Sequence, residues 1–600
     1  MKRNNNSKNR NNSNSKFSKT KQTRQRMGRG NASQKMECDG SDRDLKSKSN
    51  DPSWYASDAN LLRDSASIPF SWSTGTKVNL YDDESSANPF QFAVPGICAL
   101  KLRPTFGYST SQTDPLNIAA TSVYTFIRHA NSGSANYDAP DLMMYIMGMT
   151  QVYSYINMLQ RAYGCAALYA QQNRYLPDAL LRAMNIDPED IRENMASFRY
   201  RINVFINKAA SLAVPSEFHL FKREAFLYQN VYTEGTSIKD QLYMYVPEGF
   251  WVMSVSLRSG NVGTSLIYAP FKSKVITNGD DHLFTVDELM AYGDMLLQSI
   301  LLSEDFNIMS GDILKAYGAG NLISVAPIPP DFTVAPVFDP TVLEQMKNAT
   351  IIQGVNSDWT WNVASDAVGI QRAYPSGLST QGAFSIGQSN INNAINCMPI
   401  VSKTPQNSNF VKILYPDYTS TMATSWYASA TRMAHRNQLV TTMNPDPGPE
   451  VVIEDTRLIT AVGNEFGSGS YICRPLYCGA EIAVACQYYV FDHSVTDDLG
   501  RPALRTSSMG TQMTVDATKI AEDWSPSDGD SNLSIVEMWT RSTFHFAPQI
   551  DIVISITSGS DTTLKAGGVF QDFDNYAVIN SDTLNRLHET ALLNMLHVTR

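Results

Sequence analysis

No acidic residue occurs before Glu37. The first 36 residues hold eleven Lys or Arg, although the whole chain carries 58 Asp/Glu against 48 Lys/Arg, a net charge of −10. The rest of the chain therefore keeps 37 basic residues and all 58 acidic ones, a net of −21. Apolar side chains are nearly missing from the start as well: Met1, Phe17 and Met27 are the only sizeable ones in the first thirty residues. A segment with so little to bury cannot offset its ordering entropy, so residues 1–52 read as a disordered basic arm. It has no apolar run after its basic start, so it does not read as a secretory signal.

Cysteine is scarce: Cys38, Cys98, Cys165, Cys397, Cys473, Cys478 and Cys486, an odd number with no CxxC pair. In a long chain this favours reduced thiols and a cytosolic setting. The sequon at Asn348-Ala349-Thr350 then carries no glycan. Cys473, Cys478, Cys486 and His493 lie near one another in sequence, but the second half of a zinc pattern is missing, so no metal or other cofactor is expected. Long apolar runs are also lacking. Leu142 to Gln160 is uncharged, yet Gln151, Ser154, Asn157 and Gln160 interrupt it, which predicts a buried or interfacial helix and no stable membrane insertion.

Catalytic signatures are few. There is no GxSxG, P-loop or GxGxxG. Asp492-His493-Ser494 has the residue types of a triad, but as consecutive neighbours, whereas triad members meet in space. Asn278-Gly279-Asp280-Asp281 follows Lys274-Val275-Ile276 as a polymerase's metal-binding carboxylates follow a strand, and Ser259-Gly260 with Thr264 fits a ribose-selecting pattern. An RNA-dependent RNA polymerase or nuclease using Asp280 and Asp281 is therefore the alternative reading. Against it, no two aspartates between 170 and 258 have the spacing of the required upstream pair. The fourteen residues between Thr264 and Gly279 are too few for the helix and strand that should separate the motifs. An Asn-Gly hairpin turn with solvated aspartates, in a protein that is not an enzyme, is the simpler account.

What is present reads as an α+β protein. Pro140 and Asp141 open a helical pattern that runs through Leu142, Ile146, Met149, Val152, Ile156 and Leu159. Asp187-Pro188-Glu189 opens another, ending before Pro215, and Thr285 with Glu288 forms a capping box before Leu289 and Leu296. Residues 325–340 carry five prolines and predict an extended crossing segment or a domain boundary. Strand signals dominate 341–560, at 451–462, 481–491 and 549–557. The chain closes on an amphipathic helix at 581–598 with Leu584, Leu587, Ala591 and Met595 on one face. The apolar faces at 142–163, 289–301 and 584–595 exceed what one slim domain needs, which predicts that part of them is buried between subunits.

The arm's ten cations in the first thirty residues are Lys2, Arg3, Lys8, Arg10, Lys16, Lys19, Lys21, Arg24, Arg26 and Arg29. With one Phe among them, stacking on bases is not their mode; phosphate contact is, and RNA of any sequence is the expected partner. An acidic body with a cationic, sequence-blind arm is the logic of a container protein whose arm neutralises a genome.

The residues after the arm carry a family likeness. DPSWYASDANLLRDSASIPFSWSTG at 51–75 and PLNIAATSVYTFIRHANSGSANYDAPDLMMYIMGMTQVYSYI at 115–156 resemble the capsid proteins of picobirnaviruses, most specifically in HANSGSANYDAPDLM at 129–143. The resemblance implies a homodimer that self-assembles into an icosahedral T=1 shell around viral double-stranded RNA, in a virion assembled in the host cytoplasm. It implies a mainly helical shell domain at 53–340, a projecting β-containing domain at 341–560, and a C-terminal helix within 561–600 that returns to the shell. It also implies autoproteolytic maturation of the arm, for which no nucleophile can be located here and no catalytic residue is carried over.

If the arm works through phosphates, a peptide of residues 1–36 binds RNA with a log–log salt slope of several units, about 0.7–0.9 per contact made. The slope is the same for unrelated RNA sequences, because such contacts position and do not read bases. Titration at several salt concentrations checks this; a flat slope or strong sequence preference contradicts it.

Overall fold

A computed structural model describes, with short breaks, residues 54–68, 77–79, 91–168, 176–254, 264–271, 283–350, 360–373, 400–412, 437–516 and 543–598. The chain divides into two compact units, residues 1–71 and 72–600. In the first unit, helix α1 (Ala59–Ala66) starts on Asp58, whose carboxylate accepts the Asn60 N–H at 2.7 Å. None of its residues is buried.

The second unit mixes helix and sheet around one contiguous core. Its first helices are α2 (Pro115–Ala130), α3 (Ala139–Ala166), α4 (Leu176–Ala183), α5 (Pro188–Glu193), α6 (Met195–Ala210) and α7 (His219–Gln229). Then come α8 (Val286–Leu301), α9 (Glu304–Tyr317), α10 (Pro340–Lys347), α11 (Pro449–Asp455) and α12 (Ser581–Met595). The uncharged stretch is α3, and it is buried on nearly every face, as a helix apolar all round must be. Helices α2, α4, α6, α7 and α8 surround it. No helix among the described residues is long and apolar enough to cross a membrane. The polar interruptions have partners: Gln151 Oε1 accepts the Trp251 N–H at 3.2 Å, and Ser154 Oγ donates to Glu224 Oε2 at 3.0 Å.

Local signals set the helix starts. Asp187 caps α5 at the Glu189 N–H, and Thr285 and Glu288 make the reciprocal capping box of α8. The run from Asp187 breaks at Asn194, so α5 and α6 are separate helices. The expected strand at 451–462 is instead α11 followed by a turn, and a strand begins only at Ala461. Gly448 at the N-cap and Pro449 at the first helical position outweigh the β-branched run. The face of α12 is also rotated from expectation: Leu584, His588 and Leu592 are buried, whereas Leu587, Ala591 and Met595 are half-buried.

The main sheet joins distant parts of the chain. It uses β1 (Ile97–Pro104), β2 (Tyr232–Thr233) and β3 (Leu242–Pro247). A second sheet takes β4 (Gly249–Ser254) and β5 (Ser265–Pro270) with two short strands at Ile400–Lys403 and Asn409–Lys412. Further on lie β6 (Asn437–Thr442), β7 (Glu481–Thr496), β8 (Pro502–Met509) and β9 (Asn575–Asn580). The main sheet runs β8-β7-β1-β3-β2, with β1 and β3 parallel. Strand β1 is buried along its whole length and pairs antiparallel with β7, Leu100 opposite Cys486 and Cys98 opposite Tyr488. The strand-rich stretch after 341 thus feeds β7 into the same sheet and core as β1.

The proline-rich segment is a strap across the helices. Several of its N–H groups find partners singly: Ile328 on Asn203 Oδ1 at 2.8 Å, Val334 on Gly164 O at 3.1 Å and Val337 on Val231 O at 3.0 Å, with Ile323 just before it on Val214 O at 2.8 Å. Proline suits the other positions because no ladder needs their N–H.

The excess of apolar surface expected at 142–163 and 289–301 is absorbed inside the chain. Tyr155 lies among Phe205, Phe250, Phe271 and Tyr292 with ring centroids 5.2–6.2 Å away, and its hydroxyl donates to Leu289 O at 2.6 Å. Leu592, Leu593 and Leu596 from the C-terminal segment join the same core. The expectation that part of these faces meets a partner subunit is therefore corrected for α3 and α8, which are covered by their own chain, while Leu587, Ala591 and Met595 of α12 stay half-buried.

Gly164 is where the strap comes closest to α3. A Cβ there would stand 2.5 Å from Val334 Cγ2 and 2.9 Å from the Val334 backbone nitrogen. Gly164→Ala gains about 1 kcal/mol of helix propensity but overpacks against backbone at about 1–3 kcal/mol, so a net loss of stability is expected in urea unfolding. A variant as stable as the parent would mean the strap lifts freely.

Candidate functional site

The residues singled out from sequence mostly fall outside the described part of the chain. The ten arm cations do, and so do Asn278, Gly279, Asp280 and Asp281. Of the ribose-selecting pattern, Thr264 is described, and its hydroxyl donates to Asp141 Oδ1 at 2.8 Å near the start of α3. Asp492, His493 and Ser494 are consecutive positions of β7. No group of three or more His, Cys, Asp or Glu placed to hold a metal ion occurs among the described residues. Cys98, Cys165 and Cys486 are free thiols, all buried, with the sulfurs of Cys98 and Cys486 3.5 Å apart. Burial pushes the Cys165 thiol up to about 12, which makes it inert.

The segment at 129–143 is tied to α9 through one carboxylate. Asp312 Oδ2 accepts from Tyr137 Oη at 2.6 Å and Arg128 Nη1 at 3.1 Å, while Asn131 Nδ2 donates to the Asp312 carbonyl at 3.0 Å. Burial and the neighbouring Asp312 carboxylate raise the Tyr137 hydroxyl, so it stays a donor. Arg128 of α2, Asn131 and Tyr137 between α2 and α3, and Asp312 of α9 are thus held together.

Sequence reading missed the buried charges, because an Arg in a strand or helix gives no sign of its depth. Arg103, at the end of β1, donates from Nη2 to Glu248 Oε2 at 2.7 Å and lies 3.9 Å from the centroid of the Tyr268 ring. The Tyr268 hydroxyl donates to the same oxygen at 3.1 Å. A second cluster gathers Arg223 and Glu224 of α7, Glu481 of β7 and Gln345 of α10. Arg223 binds Glu481 Oε1 through Nε at 3.0 Å and also through Nη2, and donates to Gln345 Oε1 at 3.1 Å. Burial, reinforced by the Glu481 charge, pushes the Glu224 carboxyl up to about 8, so it carries a proton at neutral pH. Arg161 is fully buried and donates from Nη1 to Asn230 O at 3.3 Å; burial draws its guanidinium down to about 10. These groups lie beneath the surface and clamp segments of one chain together.

A third cluster joins α10, β6 and α11. Glu344 accepts from Thr442 Oγ1 at 2.7 Å and from the Met443 N–H at 2.6 Å. Asp455 is buried beside it, and burial with the Glu344 charge pushes its carboxyl up to about 7. Nearby, His588 of α12 donates from Nε2 to Ile459 O at 2.7 Å and faces Arg457 through Nδ1 at 3.4 Å. Burial and that guanidinium push the imidazole down to about 3, so it is neutral.

Large apolar side chains stand exposed on several of the described elements, α2 and β9 among them. On α2, Phe126 is 52% exposed and, with Gln112, Ile118, Thr125 and His129, lines a shallow cavity of about 690 Å³. On β9, Tyr576 and Val578 are 64% and 61% exposed. The site has no deep substrate pocket at these faces; what they offer is surface.

Comparison with known proteins gives these observations a setting. Residues 54–365 match the family model described as Picobirnavirus, Capsid protein. A protein named capsid protein precursor, from Human picobirnavirus (strain Human/Thailand/Hy005102/-), is 31% identical over 313 residues, 51% of this chain and 55% of that protein. The match thus spans about half the length of that curated relative. The X-ray crystallographic structure of the picobirnavirus capsid shares the fold, with a TM-score of 0.65 at 23% identity over 91% of this chain and 98% of that one.

The carboxyl at Asp455 has a pH signature. Its folded pKa lies above the unfolded value near 3.9, so its contribution is fully present below about pH 4 and is lost as pH rises towards 7. Asp455→Asn should therefore flatten the fall in urea stability across that window, where one such group contributes a slope of up to about 1.4 kcal/mol per pH unit. Parallel curves for variant and parent would contradict the assignment.

Proposed function

The chain belongs to the picobirnavirus capsid protein family, and we propose that its copies pair as homodimers and close into a small icosahedral T=1 shell around double-stranded RNA, as a structural protein of the virion. The observation that carries this reading is the family match beginning at residue 54, directly after the basic arm. The two parts then have separate tasks. A body with a net charge of −21 beyond residue 36 repels RNA, and eleven cations without an anion attract it. Lys2, Arg3, Lys8, Arg10, Lys16, Lys19, Lys21, Arg24, Arg26 and Arg29 supply the phosphate contacts from the inner side of the wall.

In this reading the helical body of 53–340, with β7 and β8, is the wall. The remaining strand-rich parts of 341–560 project from it, and the C-terminal helix packs back on the wall. Assembly takes place in the host cytoplasm, without insertion in a membrane. The name capsid protein precursor of the related viral protein fits a chain whose arm is later removed. The buried ionic clusters give the wall its rigidity, and no part of the reading calls for an enzyme or a cofactor.

Deleting residues 1–50 removes fourteen Lys/Arg and four Asp/Glu but almost no apolar surface. Shells are expected to form still, with packaged RNA sharply reduced, as read from the ratio of absorbance at 260 and 280 nm in purified particles. Truncated particles that carry as much RNA as full-length ones, or no particles at all, would overturn the role given to the arm.

A further inference from the structure

Strands β6 and β9 form a two-stranded antiparallel sheet, with Gln438 opposite Ile579, Val440 opposite Ala577 and Thr442 opposite Asn575. Its inner face rests on a small satellite core of Val440, Ile459 and Leu584, with Ile579 packed against it. The sheet is supported from that side by α12, whose Leu584 belongs to this core. Among the described residues no strand pairs with the other edge of β9. That edge has none of the usual protections. The strand reads Asn575-Tyr576-Ala577-Val578-Ile579-Asn580, with no charge, no proline and no bulge, and it is exposed except at the half-buried Ile579. Tyr576 and Val578 stand on one face, both more than half exposed.

We propose that β9 is a two-fold contact: the free edge pairs antiparallel with β9 of a second copy, making a four-stranded sheet β6-β9-β9-β6 across the axis. The inference rests on the shell reading above, which supplies the second copy, and it names the strand that meets it. Symmetry restricts the register. Directly opposite residues in an antiparallel pair point to the same face, so an axis perpendicular to the sheet must pass through one residue paired with itself. Centring on Ala577 puts the smallest side chain on the axis and sets Tyr576 of each copy against Val578 of the other. An aromatic facing a β-branched residue is a favourable cross-strand pair. Centring on Tyr576 or Val578 breaks both of those pairs. A polyphosphate is a poor occupant, since the strand has no Lys or Arg. One strand pair is a small part of the roughly 1,600 Å² that a stable contact buries, so it sets register and symmetry within a larger interface.

The test uses full-length chain with Ala577→Cys, assembled and then oxidised with copper–phenanthroline. Copper(II) takes the two electrons and solvent the two protons as the sulfurs join. A self-pair at this position sets Cα atoms about 4.5–5.5 Å apart, within disulfide range. Most of the chain should then run as a covalent dimer on a non-reducing gel, and the parent should not. Tyr576→Cys should cross-link only when mixed with Val578→Cys. Particles that form normally without the Ala577→Cys cross-link overturn this inference and leave the shell reading standing. A parent chain that makes no particles overturns the shell reading itself. If the Ala577→Cys chain does not assemble, hydrogen exchange in the parent decides: slowed amides at 576–580 on assembly support the pairing, and unchanged ones refute it.

Discussion

Helix α3 has to be surrounded. Twenty-eight residues long, it is buried on nearly every side, so no face of it is left to water. A helix in this position imposes the layout of everything else, because each of its faces needs a neighbour of matching shape. Five helices and the strap supply those neighbours, and at Gly164 the absence of a side chain lets the strap's backbone seat directly on it. The aromatic group around Tyr155 fills the side facing α8, where edge-to-face geometry and one hydroxyl bond to Leu289 O combine area with direction.

Packing of this kind fixes position poorly for segments far apart in sequence, and there the buried charges take over. Glu481 lies 258 residues from Arg223, yet the pair meets inside the protein and draws in Gln345. A desolvated carboxylate has few acceptable places, so the cluster specifies one docking of β7 and excludes others. The same cluster leaves Glu224 protonated, since burial and the neighbouring Glu481 charge outweigh the attraction of Arg223 and the Ser154 hydroxyl. Taking away one partner of such a pair is far more damaging than its net contribution suggests, because the other is left charged and dry.

How much of this was legible in the sequence depends on range. Signals acting within four residues read correctly: the Thr285 box, the Asp187 cap, the prolines of the strap and the uncharged run of α3. Where two local signals competed, the wrong one was favoured. The β-branched run after Pro449 suggested a strand, but the cap and proline geometry produced a helix. On α12 the expected face was Leu584, Leu587, Ala591 and Met595, but His588, bonded to Ile459 O, sits inside with Leu584 and Leu592, which turns the buried face. Pairing of β1 with β7 was invisible, because nothing near Leu100 refers to Cys486. The buried Arg103, Arg161 and Arg223 were invisible for the same reason. Residues 129–143 were legible as a likeness, while the group that Tyr137 and Asn131 bind, Asp312, lies in a helix far along the chain.

The consequence for assembly is a division of labour in apolar surface. Had α3 or α8 kept an open face, subunits would be expected to meet through broad hydrophobic patches, like a domain core cut in half. Instead the chain consumes those faces internally, and the large apolar side chains left outward among the described residues are scattered over separate elements, with Phe126 on α2, Tyr200 on α6, Leu302 after α8, and Tyr576 and Val578 on β9 among them. Contacts built from such pieces are individually weak and directional. In a closed symmetric shell each is repeated at every equivalent position, so weak contacts sum to a stable container while any single one can still break and re-form. A chain whose own core is complete can fold without a partner, and its apolar helices are then shielded from solvent and from other chains.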